Sequence, residues 1–198
     1  MKLAAIDHWV FDMDGTLTVA AHDFAAIRRA LAIPAEDDIL QHLAALPAEE
    51  GAAKHAWLLE HERELAVASR AAPGAVILVR ALKARGCRLG VLTRNARELA
   101  FVTLEAIGIA DCFDEDHVLG RDEALPKPDP EGLLHLARAW DVAPERMVMV
   151  GDYRFDLDCG RAAGSHTVLV NLPENPWPQL ADWHALDCAA LARMIEVS

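Results

Sequence analysis

Apolar positions along the chain change period several times, and each change marks an element. Trp9, Val10 and Phe11 form an unbroken apolar run, which predicts a buried strand over residues 4–11. From about Leu17 to Pro73 the pattern is helical, with no convincing strand. Phe24, Ile27 and Leu31 share one face of a helix that Asp23 caps and Pro34 ends. Glu36, Asp37 and Asp38 enrich the first turn of a second helix running to about Leu46, where carboxylates meet the positive end of the helix dipole. Pro47 opens a longer helical pattern through Arg70, and Pro73-Gly74 closes the block.

Beyond Gly74, helix and strand alternate. Helical spacing covers about residues 75–85, 96–107, 130–140 and 155–163. Short apolar runs predict strands at 87–92, 147–150 and 167–170, with a weaker one at 117–119. Gly86, Gly108 and Gly164 fall where helix ends need left-handed backbone. The tail from Leu172 carries a proline-rich loop and a final helix around 187–195. This alternation predicts an α/β fold, a mostly parallel sheet with helices on both faces. The helical block of about 55 residues is inserted between the first strand and the rest of that unit.

Bulk properties narrow the partners. A chain of 198 residues with 53% hydrophobic and 25% charged residues suits one well-buried core plus a modest insertion. A net charge of −12 argues against nucleic acid, whose binding rests on Lys and Arg neutralising phosphates. Cys87, Cys112, Cys159 and Cys188 form no Cys-x-x-Cys pair, so zinc and dithiol redox sites are poorly supported. No leader pattern or membrane-length run appears. The expectation is a cytoplasmic protein, monomeric or homodimeric, with no membrane partner.

The chemistry concentrates where strands end. The first strand stops in Asp12-Met13-Asp14-Gly15-Thr16-Leu17. Two carboxylates that close repel by about 4 kcal/mol at a surface-like dielectric, and a bound cation is the usual remedy. Asp-x-Asp-Gly is also good turn chemistry, and half of a calcium loop without its later glutamate. Three further segments tip the balance. Leu89-Gly90-Val91-Leu92 runs into Thr93-Arg94-Asn95 before a helix. Lys127 is held between Pro126 and Pro128. Met147-Val148-Met149-Val150-Gly151 ends in Asp152, with Asp156 one helical turn on. In open α/β sheets, that strand edge is where ligands bind.

In order and spacing, Asp12-Met-Asp-Gly-Thr-Leu, Thr93, Lys127 and Gly-Asp152-x-x-x-Asp156 resemble the haloacid dehalogenase superfamily of phosphohydrolases, and more narrowly its phosphoglycolate-phosphatase-like subclass. The resemblance covers Asp12 to about Gly164. It implies a Rossmann-like parallel sheet carrying a small inserted α-helical cap, with residues 1–17 and 74–198 as core and 18–73 as cap. It also implies Mg²⁺ dependence and an aspartyl-phosphate intermediate on a small phosphorylated metabolite. In the family pattern, Asp12 is the nucleophile and Asp14 the general acid/base, with its backbone carbonyl a metal ligand. Thr93 binds a phosphoryl oxygen, helped by the amides of Arg94 and Asn95. Lys127 neutralises charge, Asp152 holds the metal, and Asp156 either holds a metal-bound water or orients Lys127. His22, Arg28 and Arg121 are candidate substrate contacts at the rim.

The same superfamily includes dehalogenases, phosphonatases and mutases. The first two lack an aspartate at the position of Asp14. Mutases keep it, but often carry an apolar residue where Thr16 stands. Phosphatase is therefore the preferred reading and phosphomutase the alternative. From other classes, a phospho-accepting signalling receiver lacks the Asp-x-Asp-Gly-Thr arrangement. A non-catalytic binding protein would not need every catalytic position filled.

Overall fold

A computed structural model describes residues 2–21 and 23–197, so His22 lies outside the described residues. Six strands form one parallel sheet. They are β1 (His8–Phe11), β2 (Arg88–Leu92), β3 (Val118–Leu119), β4 (Met147–Gly151), β5 (His166–Val170) and β6 (Trp183–Ala185), in the order β3-β2-β1-β4-β5-β6. His8 of β1 pairs with Arg88 on one side and Met147 on the other. The order reverses at β1, and that reversal is where open sheets of this class hold ligands.

Alternation along each strand sorts the core into two layers. Trp9 and Phe11 join Val148 and Val150 on one face. That face is covered by α4 (Ala75–Ala84), α5 (Arg97–Ala106) and α8 (Cys188–Val197). Val10, Met147 and Met149 point the other way, under α6 (Glu131–Ala139) and α7 (Arg154–Ala163). All of these strand side chains are fully buried, and truncating one such core residue to alanine costs about 2–5 kcal/mol.

The insertion folds as three helices, α1 (Phe24–Leu31), α2 (Ile39–Ala44) and α3 (Ala48–Val67). Ile27, Leu31, Ile33, Leu43 and Leu58 give it an apolar cluster of its own. Ala66 of α3 packs with Ala96 and Leu99 at the start of α5. Asp23 caps α1 through the amide of Ala26, as its position predicts. Asp38 caps α2 through the amide of Gln41, so Glu36 and Asp37 precede that helix rather than entering its first turn.

Two further expectations need correction. The first strand begins at His8, because Leu3–Ala5 turn in a short 3₁₀ helix and the indole of Trp9 donates back to Ile6 O at 2.8 Å. The tail holds a strand, β6, before its last helix. No helix among the described residues is long and apolar enough to cross a membrane.

Candidate active site

Five strand ends supply the site. Asp12 follows β1, Thr93 follows β2, Gly120 follows β3, Asp152 follows β4 and Asn171 follows β5. Parallel strands all end on one edge, so residues far apart in the chain converge there.

Lys127 lies at the centre, 3% exposed. Its ammonium donates to Asp12 Oδ1 and, at 2.7 Å, to Asp156 Oδ1. Burial disfavours its charge, but the two carboxylates outweigh that and hold the ammonium protonated well above lysine's ordinary range. One cation shared by two acids does not satisfy both. Burial and the charge of Asp12 push Asp156 up in spite of Lys127. The other oxygen of Asp156 accepts the amide of Tyr153 at 3.1 Å. Asp152 is pushed up to about 7, first by burial and then by repulsion from Asp12 and Asp156.

Backbone geometry makes this crowding possible. Gly15 has φ +84°, and a Cβ there would stand 2.3 Å from Asp152 Oδ2. A Cβ on Gly151 would stand 2.2 Å from that of Asp156. Glycine at both positions lets the acidic loops touch. Thr16 Oγ1 then donates to Asp152 Oδ1 at 3.2 Å.

The loop after β2 faces Asp14. The side-chain amide of Asn95 donates to Asp14 Oδ2 at 2.6 Å, and its backbone amide donates to Thr93 Oγ1 at 3.2 Å. Thr93 is itself buried, with its amide tied to Leu119 O.

Asp12, Asp152 and Asp156 each bring a carboxylate oxygen into one cluster whose members all lie within 4.8 Å of one another. An all-oxygen donor set in which burial, and after it repulsion, raises Asp152 and Asp156 fits a hard divalent cation. Asp14 lines the same cavity of about 570 Å³, as do Thr93, Asn95 and Lys127. From the insertion, Phe24, Ile27 and Leu58 supply its apolar wall.

The rim candidates divide. Arg28 lines this cavity and donates through Nε to Asp37 O at 3.2 Å. Arg94 also lines it, with Nη2 2.5 Å from Asp38 Oδ2 and the guanidinium 5.5 Å from the Phe155 ring centre. Arg121 turns instead toward a neighbouring cavity between α3 and α5, where Nη1 pairs with Glu62 Oε1 at 2.9 Å. His22 lies outside the described residues.

A family model described as haloacid dehalogenase-like hydrolase matches residues 6–164. The chain belongs to that family of enzymes. A haloacid dehalogenase-like hydrolase domain-containing protein of Arabidopsis thaliana is 32% identical over 174 residues, covering 82% of this chain and 69% of the relative. A phosphoglycolate phosphatase of Nitrosospira multiformis is 36% identical over 133 residues, or 66% of this chain and 56% of that protein. A solved hydrolase structure from Pseudomonas syringae superposes with a TM-score of 0.77 at 20% identity, covering 96% of this chain and 98% of that one. At that identity the superposition speaks to the haloacid dehalogenase-like fold alone.

Sequence reasoning missed several contacts of this dehalogenase-like site. Asn171, with φ +62°, donates to Gly15 O at 2.7 Å and Thr16 O at 3.0 Å. The strand-edge rule that found Thr93 would have found it too. Asn95 was expected to act through its amide, and its side chain reaches Asp14 as well. Asp38 reads as helix-end charge but also anchors Arg94. Glu62 carries no signal in the helical pattern of α3.

Proposed function

We propose that this chain is a Mg²⁺-dependent phosphatase that hydrolyses small phosphate monoesters through an aspartyl phosphate on Asp12. The observation that carries the reading is the buried Lys127 ammonium, bonded at once to Asp12 and Asp156 beside Asp14 and Asp152.

The reasoning runs from charge. Phosphate monoesters are among the slowest substrates to hydrolyse unaided, and an anionic nucleophile must approach an anionic phosphoryl group. Lys127 offsets that repulsion and holds Asp12 by Oδ1, which leaves Oδ2 for phosphorus. The hydroxyl of Thr93 and the amides after it bind the non-bridging oxygens. Asp12 and Asp152, with the carbonyl of Asp14, would hold Mg²⁺, which supplies charge neutralisation at the phosphoryl oxygens when bound. Asp156 spends both oxygens on Lys127 and the Tyr153 amide, so it acts by positioning the lysine.

Two steps follow. Asp12 Oδ2 forms a bond to phosphorus as the ester P–O bond breaks, and Asp14 gives its proton to the departing oxygen. Asp14, now a carboxylate held by Asn95, takes a proton from water. The resulting hydroxide oxygen bonds to phosphorus, the bond to Asp12 breaks, and inorganic phosphate leaves. Residues 18–73 act as a cap that keeps bulk water from this volume. A cavity of about 570 Å³ suits a metabolite rather than a nucleic acid or a folded phosphoprotein.

The test is phosphate release from p-nitrophenyl phosphate with Mg²⁺. Multiple turnover by the wild type, abolished in a folded Asp12→Asn variant, is the expected result. A single phosphorylation without turnover would mean a receiver, and no reaction would mean a binding protein.

A further inference from the structure

Eight carboxylates and three cations line the site cavity among the described residues. The cations are largely committed. Lys127 is taken by Asp12 and Asp156, Arg94 by Asp38, and Arg28 gives its Nε to the Asp37 carbonyl. One bound divalent ion leaves the walls negative, so a second acidic group on the substrate would enter against the field.

Glu62 adds a specific element to that field. It sits one turn beyond Leu58 on α3, and both line the cavity. The residue is 7% exposed, and its Oε1 accepts from Arg121. Its Oε2 is buried with no hydrogen-bond partner. A buried carboxylate oxygen left unpaired costs about 1–3 kcal/mol or more, and a ligand donor would remove that cost.

Building on the phosphatase reading above, we infer that Glu62 is a specificity residue, whose Oε2 accepts a hydrogen bond from the leaving group of the substrate. The substrate class is the phosphate monoester of a hydroxylated or aminated carbon skeleton, and a phosphorylated hydroxy acid is disfavoured. Arg121 holds Glu62 from outside the cavity, so the carboxylate keeps its aim. A carboxylate in the same place would meet Oε2 with no proton between the two oxygens. This departs from the substrate in the name of the Nitrosospira multiformis relative.

Two matched pairs of esters test this, each differing only at the far end. They are 2-hydroxyethyl phosphate against phosphoglycolate, and sorbitol 6-phosphate against 6-phosphogluconate. The wild type with Mg²⁺ should favour the hydroxyl member of the longer pair at least threefold in kcat/KM. Glu62→Gln should reduce that ratio at least threefold, chiefly through KM for the hydroxyl member. A smaller or reversed wild-type ratio overturns the inference, and that measurement stands even if the variant fails to fold. A wild-type preference that a folded Glu62→Gln retains overturns the assignment to Glu62. Failure of all four esters and of p-nitrophenyl phosphate would instead sink the phosphatase reading itself.

Discussion

The side-chain amide of Asn171 donates a 2.7 Å hydrogen bond to the carbonyl oxygen of Gly15. The bond crosses from the end of β5 to the acidic loop after β1 and holds that loop against Asp152. Asn171 adopts the left-handed region, which glycine also tolerates. Asn171→Gly therefore removes the donor with little backbone strain. Two carbonyls would lose a partner, a loss of about 1–3 kcal/mol, read as a lower denaturation midpoint. The same variant should need more Mg²⁺ for half-maximal activity. An unchanged Mg²⁺ requirement would show that the clamp serves stability only.

Asp14→Asn should discriminate between leaving groups. Nitrophenolate departs with little protonation, whereas an alkoxide needs the proton. We expect kcat/KM to fall by about 10²–10⁴ on an alkyl phosphate and by a much smaller factor on p-nitrophenyl phosphate. Equal losses on both would remove Asp14 from the acid role.

Stripping the metal should abolish turnover. The carboxylates of Asp12 and Asp152 lie close enough to share a hard cation, and Mg²⁺ favours the octahedral, partly hydrated geometry of phosphoryl-transfer sites. Exhaustive EDTA treatment followed by Mg²⁺ addition should erase and then restore phosphate release. Calcium, with its looser and larger coordination shell, should fail to restore it. Full activity in the chelated protein would contradict the proposal.

Two histidines should subtract stability on mild acidification. His8 and His117 pack against the Trp140 ring at 5.6 and 5.2 Å, and burial lowers both from the ordinary histidine value of 6.5. Each is neutral in the folded and unfolded chain above 6.5. Below it the unfolded chain takes up protons that the folded chain resists, so stability falls as pH drops from 6.5 toward the folded values. Asp152 and Asp156, raised in the folded chain, take up protons over the same range and act in the opposite sense, so the histidine effect is read as a difference. Between pH 7.5 and 5.5 the denaturation midpoint of His117→Leu should rise relative to that of the wild type as pH falls. Parallel curves for the two proteins would rule His117 out as a contributor.

Strand ends were the most legible part of the chain. An apolar run that stops in a carboxylate or hydroxyl marks both the element and its exit. Asp12, Thr93 and Asp152 were therefore placeable without coordinates. Other features depend on long-range pairing that no local pattern encodes. Glu62 and Arg121 stand 59 residues apart and meet only because α3 packs beside α5. β6 has three residues, a proline-rich approach and one neighbour, too little for a period to show. The 3₁₀ turn at Leu3–Ala5 is set by where Trp9 must point, which is a tertiary demand on an apolar segment.

The register of β1 has a bearing on how the molecule is made. His8 pairs with Arg88 and Met147, so the first strand to leave a ribosome has neither neighbour until much later. Pairings at such separation are slow to form, although closing a longer loop adds only about 0.6 kcal/mol per doubling. Asp12, the proposed nucleophile, is thus without its counter-ion until Lys127 has emerged, and without the acid that aims that lysine until Asp156 follows. A nascent chain halted before β4 carries a Trp-Val-Phe run with an unpaired edge and no working site, which makes that run the segment a chaperone should be found holding.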